Sequence, residues 1–391
     1  MKNLPRTLAR FFIAPLLLAT AFAVGAAAAP PIKIGVSISE TGELAEFGQA
    51  QLSGLKFWVQ DINSRGALLG RRVELVHYND QSRVDRSVSI YERLIRQDGV
   101  RLLVSPYSST LTMAASEVAE RRGVPMISIA SAPELWHRGF KNLFGMYAPA
   151  DHNMDPVLSL AEEKGLSTVA LANQRTEFPA AVVAGVKRKV AEHGLKVVFS
   201  GSYPAGVRDV TKLVRDMKTT NPDVVIVAGY LEDGIVFMRA ARAEGLAPKL
   251  MALSGGPALR EFGDELGYAR SNGVISTVQW MRDVRLPMSF DFAFRYRRQF
   301  GAYPSYDAAG GYAAGQVLEA AVRLAGSTNG QAVRQQLSSM KFRSILGHYR
   351  VDESGMQRGK TTYLVQWQDS HISLVYPTDL ARWPLVFPFP G

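Results

Sequence analysis

Strand and helix patterns alternate strictly along the first part of the chain, and this alternation restricts the fold more than any other feature. Ile32-Lys33-Ile34-Gly35-Val36-Ser37-Ile38 reads as a short apolar strand. Leu52, Leu55, Val59 and Ile62 then recur at helical spacing, and Gly66 closes that helix. Strands are expected at 72–77, 100–105 and 124–129, with helices at 84–97 and 112–122 between them. A helix between every pair of strands demands a parallel sheet covered on both faces. The rhythm restarts after Met146-Tyr147-Ala148-Pro149, with strands at 168–172, 196–200, 223–228 and 249–253. Helices at 180–193, 210–219 and 234–244 separate them.

Two α/β units follow from this. A strand at 274–278 crosses back to helices at 290–300 and 309–324. The second of these is rich in Gly and Ala, which suits close helix packing. From Gly347 on, the pattern turns antiparallel, with strands at 348–351, 361–367 and 371–375. Chain crossings are expected near 148, 277 and 346. The N-terminal lobe takes in 29–148 plus 278–346, and the C-terminal lobe 149–277 plus 347–391. The last residues, 383–391, read as a tail laid on the surface. At 391 residues and 47% hydrophobic, the chain can build two cores.

Residues 1–28 read as an export signal. Lys2, Arg6 and Arg10 form a basic start, Phe11 to Val24 is apolar, and Gly25 to Ala29 is a small-residue cleavage region. The apolar run is shorter than the ~20 residues of a spanning helix. The chain has no cysteine, so neither disulfides nor a lipid anchor on an N-terminal cysteine is expected. Three of the ten net positive charges lie in this segment. The remaining basic residues are scattered in short pairs such as Arg71-Arg72 and Arg297-Arg298, which does not suit a nucleic-acid partner.

In open parallel sheets, ligands bind beyond the carboxyl ends of the strands. Ser105-Pro106-Tyr107-Ser108-Ser109-Thr110 is one such loop, and Ala130-Ser131-Ala132-Pro133-Glu134-Leu135 is its neighbour. Hydroxyls beside the free N–H groups of a helix start suit an anion, although plain capping uses the same residues. Phe47, Phe178, Tyr230 and Trp280 fall in further strand-end positions as candidate cleft aromatics. Signals for catalysis are poor. The six histidines have no metal-ligand spacing, and there is no G-x-S-x-G elbow and no P-loop. Gly310-Gly311 to Gly315 follows no strand and reads as packing. No catalytic residue, metal or cofactor is expected.

The residues, taken in order, resemble a known family. Ile34-Gly35-Val36 is followed by Thr41-Gly42, Gly48 and Gly54-Leu55, then by Asn63-x-x-Gly66 before Leu69-Gly70-Arg71. Glu74-Leu75-Val76 with Asp80, Pro106 with Ser108-Ser109, and Gly123-Val124-Pro125-Met126-Ile127-Ser128 come next. Ala132-Pro133-Glu134-Leu135, Asn221-Pro222-Asp223-Val224-Val225 and Ala309-x-x-Tyr312-x-Ala314 complete the set. Together they resemble the type I periplasmic binding proteins of branched-chain amino acid ABC importers, over about residues 32 to 375. The resemblance implies two Rossmann-like α/β lobes with parallel sheets, joined by three hinge crossovers and closing over a ligand. It implies a periplasmic location after signal cleavage, a permease of an ABC importer as partner, and a monomer. By position, Ser108, Ala130 and Ser131 match the residues that take a ligand carboxylate, with Ser109 beside them. Phe47, Phe178 and Tyr230 match cleft aromatics, and Trp280 is added from its place at a crossover.

The chain departs from that family at one loop. Amino-acid binders carry an acid after the strand that here ends at Leu253, to hold the ligand ammonium. This chain has Ser254-Gly255-Gly256-Pro257 instead. A buried ammonium without a carboxylate is costly. Glu177 or Glu232 could substitute from neighbouring loops. An aromatic or aliphatic acid, an amino acid or an amide, and a sensing role in place of transport, all remain open at this point.

Overall fold

The computed structural model describes residues 29–391; the export signal at 1–28 lies outside the described residues. The first lobe begins with β1 (Ile32–Ile38), α1 (Ala45–Ser64), β2 (Val73–Asn79), α2 (Val84–Arg96), β3 (Leu102–Val104), α3 (Ser109–Arg122), β4 (Met126–Ser128) and β5 (Leu143–Gly145). Its five strands are parallel, in the order β2-β1-β3-β4-β5. Six of the seven residues of β1 are buried, because helices cover both faces of the sheet. On α2, Ser87, Tyr91, Leu94 and Ile95 form the buried stripe. Strand β5 has only three residues, too few to show a period in the sequence.

The second lobe follows, with α4 (Asp155–Glu163), β6 (Thr168–Gln174), α5 (Glu177–Lys189), β7 (Lys196–Tyr203), α6 (Thr211–Lys218), β8 (Val224–Ala228) and α7 (Leu231–Glu244). It continues through β9 (Leu250–Leu253), α8 (Arg260–Leu266), α9 (Tyr268–Ser271) and β10 (Ile275–Val278). The chain then returns to the first lobe as α10 (Ser289–Phe300), α11 (Tyr306–Ala325) and α12 (Gly330–Ser339). Helix α11 lies directly on α1. A Cβ placed on Gly54 would sit 1.9 Å from the Ala308 carbonyl oxygen, and one on Gly311 2.1 Å from that of Gln51. The glycines are there because the two backbones touch.

One crossing falls later than the sequence suggests. A hairpin of β11 (Phe342–Ser344) and β12 (Gly347–Tyr349) keeps the chain on the first lobe. Tyr349 donates its hydroxyl to the Leu337 carbonyl at 2.8 Å. The Gly145 N–H reaches the Gly355 carbonyl at 2.8 Å, and the Gln357 amide reaches the Met146 carbonyl at 3.3 Å. Met356 is buried in the first lobe's core. Residues 347–357 therefore pack on the first lobe, and the third crossing lies at 358–362 rather than near 346.

Beyond it, β13 (Tyr363–Gln368) and β14 (His371–Tyr376) pair antiparallel on the edge of the second sheet, in the order β14-β13-β10-β9-β8-β6-β7. The tail is pinned rather than merely laid down. Phe389 is buried, its N–H donates to the Lys249 carbonyl at 2.8 Å, and the Arg242 guanidinium covers its ring.

Candidate ligand-binding site

A narrow cleft lies between the lobes at the carboxyl ends of β3, β4, β8, β9 and β10. Ser108, Ser109, Ala130 and Ser131 line it from the first lobe. Ser108 caps α3, and its Oγ accepts the Leu111 N–H at 3.3 Å. Its backbone sits at φ +77°, a region that side chains other than Gly rarely enter, so this corner is held under strain. Tight strand-to-helix turns of this kind leave the first N–H groups of the helix facing outward.

The other residues of this corner have specific local tasks. The Ser109 hydroxyl accepts the N–H of Ser131 at 3.3 Å and of Ala132 at 3.1 Å. The Ala130 N–H is already bound to the Ser128 hydroxyl at 3.1 Å. The backbone donors expected from Ala130 and Ser131 are thus engaged within the protein, and Ser109 is a brace. The Leu111 and Thr112 N–H groups are bound to Ser108, so the donors that remain are the Ser108 and Ser131 hydroxyls and the N–H groups of Ser109 and Thr110.

Aromatic side chains make the walls. Tyr107, Tyr147 and Tyr306 line the first-lobe side, and Phe178 and Tyr230 the second. Phe47 does not line the cleft. It is fully buried, stacks on Tyr107 with centroids 4.8 Å apart, and meets Tyr230 edge-on at 5.9 Å. It therefore joins the two lobes behind the wall. Trp280 is not a lining residue either. Its indole N–H donates to the Ser289 hydroxyl at 2.7 Å, and its ring packs on Phe292, because the second crossing turns it into the α10 interface.

Three residues missed by the sequence reading form the floor at the crossings. The Gln279 side-chain oxygen accepts the Ala148 N–H at 2.6 Å. Thr277 donates to the Asn153 side chain at 2.7 Å, and the Asn153 carbonyl accepts the Thr362 hydroxyl at 3.0 Å. Nothing local marks these positions, since each acts through a residue more than one hundred positions away or on another crossing. The missed aromatics did carry a signal: Tyr107 sits in the serine loop and Tyr306 opens the helix against α1.

No acid enters from the loop after β9. The Ser254 hydroxyl accepts the Gly229 N–H at 3.1 Å, and Gly255, at φ +67°, lines the cleft with its backbone. Glu232 is solvent-exposed. Glu177 accepts the Thr110 hydroxyl across the lobes instead. A second cross-lobe bond runs from the Gln174 amide to Glu43 at 2.8 Å, so the lobes are shut on each other.

Behind the tyrosines lies Asp307, fully buried, with no hydrogen bond to either carboxyl oxygen. Burial pushes its pKa up to about 7, against the pull of the nearby Tyr107 and Tyr306 hydroxyls. Buried Asp80, by contrast, is hydrogen-bonded at both oxygens, by the hydroxyls of Ser37 and Ser39 and the Ser82 N–H. Asp233, raised to about 6 by burial, likewise holds the Tyr203 hydroxyl and the Tyr230 N–H.

Two α/β lobes, three crossings and a cleft between strand ends define a two-lobed solute-binding protein. The family model of the periplasmic binding proteins matches residues 31–371, and the chain belongs to that family, in its type I, Leu/Ile/Val-binding branch. It is 26% identical over 381 residues to Leu/Ile/Val-binding protein homolog 7 of Brucella suis, covering 93% of this chain and 95% of that one. Its fold is similar to that of the branched-chain amino acid transporter substrate-binding protein LivJ of Streptococcus pneumoniae, solved with isoleucine. There the TM-score is 0.81 at 23% identity, covering 88% of this chain and 97% of the other. A solute-binding protein of an R. palustris ABC transporter, solved with benzoate, also shares the fold, with a TM-score of 0.77 at 18% identity. That match covers 88% of this chain and 95% of the other.

Proposed function

We propose that this protein, exported by its first 28 residues and released by signal cleavage, binds a small carboxylate lacking an α-ammonium group and hands it to the permease of an ABC importer. The observation that carries this reading is an asymmetry in the cleft. The Ser108–Ser131 corner offers hydroxyls and helix N–H groups to an anion. The opposite loop, Ser254 to Pro257, offers no charge to a cation. Glu232 is in solvent, Glu177 is bound to Thr110, and Asp307 stands behind Tyr306 with no exposed surface. An ammonium shut into this cleft would lose its water and gain no ionic partner.

In this reading Ser108, Ser131 and the first turn of α3 hold the carboxylate. Tyr107, Phe178 and Tyr230 hold an apolar or aromatic body. The lobes comprise 29–148 plus 278–357 and 149–277 plus 358–391, and they move about the three crossings. The protein performs no chemistry on its ligand.

Calorimetric titration of the purified protein with leucine, isoleucine, valine, benzoate and a short aliphatic acid tests this. Binding of an acid without an ammonium, at least tenfold tighter than any of the three amino acids, is expected. Tight leucine binding with no response to the plain acids would overturn it.

A further inference from the structure

The anion corner accounts for one end of a ligand, but the cleft has a second set of polar groups with nothing to bind. Tyr147 and Tyr230 both line it, and the hydroxyl of each is buried without a hydrogen bond to any other group of the protein. Behind them Asp307 has two carboxyl oxygens in the same condition. Buried polar atoms are nearly always satisfied, and leaving one unpaired costs more than a hydrogen bond gains. The Tyr147 hydroxyl is also placed with care. It lies where the Cβ of any residue larger than glycine at position 310 would be, 1.9 Å from that point. Gly310 thus keeps room for a hydroxyl that bonds to nothing in the protein.

A tyrosine hydroxyl both gives and takes a hydrogen bond, whereas an ionised carboxylate only takes. The Asp307 carboxyl is surrounded by Tyr107, Tyr147 and Tyr306, with no cation among them. The Tyr147 and Tyr230 hydroxyls make no bond inward, so each has its proton and its lone pairs left for the cleft, and a ligand hydroxyl, which both gives and takes, can meet them. Neutral tyrosines give an ammonium no ionic partner, so a neutral O–H is the group that fits.

Resting on the carboxylate reading above, we infer that the ligand carries at least one hydroxyl besides its carboxylate, on an aromatic body flat enough for the walls of Tyr107, Phe178 and Tyr230. Tyr147 and Tyr230 meet that hydroxyl, and Asp307 acts through the tyrosines as a positioning residue.

The test compares benzoate with 3-hydroxybenzoate, 4-hydroxybenzoate and 3,4-dihydroxybenzoate by calorimetry on the mature protein. At least one hydroxylated acid should bind roughly tenfold tighter than benzoate, the gain of about one net hydrogen bond. In the Tyr147→Phe/Tyr230→Phe double variant that ratio should collapse toward one. A purely structural role for the tyrosines would scale both affinities together and leave the ratio in place. Asp307→Asn should shrink the ratio as well, and its size should then no longer vary between pH 6 and pH 8. Equal binding of plain and hydroxylated acids by the unaltered protein overturns this inference alone, as does a ratio that survives in the double variant. Binding of leucine with none of the acids overturns it together with the carboxylate reading.

Discussion

The Ser109 hydroxyl accepts the backbone N–H of Ser131 at 3.3 Å, tying the loop after β3 to the loop after β4. The same oxygen takes the Ala132 N–H, so one side chain fixes the distance between the two halves of the proposed anion corner. Removing it should not empty the corner but loosen it. Ser109→Ala is expected to weaken carboxylate binding by roughly 1 kcal/mol, about fivefold. Hydrogen exchange at the Ser131 and Ala132 amides should speed up in the same variant. Unchanged affinity and unchanged exchange together would rule out the brace.

Ser108 combines a cap with a strained backbone, and two substitutions separate these. Both Ser108→Ala and Ser108→Gly lose the hydroxyl, so both should weaken a carboxylate ligand, by ~1.5–3 kcal/mol for a bond to a charged group. Stability should differ between them. Alanine caps poorly and keeps a Cβ at φ +77°, whereas glycine caps nearly as well as serine and adopts that angle freely. Thermal unfolding should therefore place the glycine variant above the alanine variant by roughly 1 kcal/mol. The reverse order would show that the strain is not felt.

Two hydrogen bonds cross the mouth of the cleft, from Thr110 to Glu177 and from Gln174 to Glu43. They form only when the lobes are shut. Glu177→Ala combined with Glu43→Ala should favour the open form, which small-angle scattering would read as a larger radius for the ligand-free protein. Affinity should fall mainly through faster dissociation. A scattering profile identical to that of the unaltered protein, with and without ligand, would count against hinge closure.

Burial without a cation makes Asp307 a pH-sensitive element of the fold. Its pKa rises from 3.8 to about 7 on folding, opposed by Tyr107 and Tyr306 and aided by Glu261. A carboxyl raised in this way binds its proton more tightly in the folded state. Its contribution to stability is fully present below the unfolded pKa and is lost as pH rises through the folded one. Between about pH 4 and pH 7 that loss amounts to at most roughly 4 kcal/mol. Asparagine cannot ionise, so Asp307→Asn should melt above the unaltered protein at pH 8, with the gap closing toward pH 4. A gap that stays constant across that range would show that Asp307 does not titrate there.

Strands and helices were legible wherever the pattern is local. The apolar residues of β1 and the stripe of α2 follow from side-chain period alone. Helix α12 was missed although its cap is plain, since Asn329 accepts the N–H groups of Gln331 and Ala332. Helix α4 was missed too; it is nine residues long and has Pro156 in its first turn. Short elements give too few repeats for a period to stand out.

The chain order by itself determined that two α/β units exist and that Ser108 and Ser131 stand at strand ends, because alternation, glycine stops and helix starts are written within a few residues of one another. Tertiary structure decided which of the candidate side chains reach the cleft. Ser109 turned to Ser131, Phe47 went behind Tyr107, Trp280 turned toward Ser289, and Tyr147 came in from the first crossing with Thr277 and Gln279 from the second. The physical reason lies in the cleft itself. Its surface is built where three crossings bring distant segments together, so a residue's exposure there depends on what packs behind it, which no local period records.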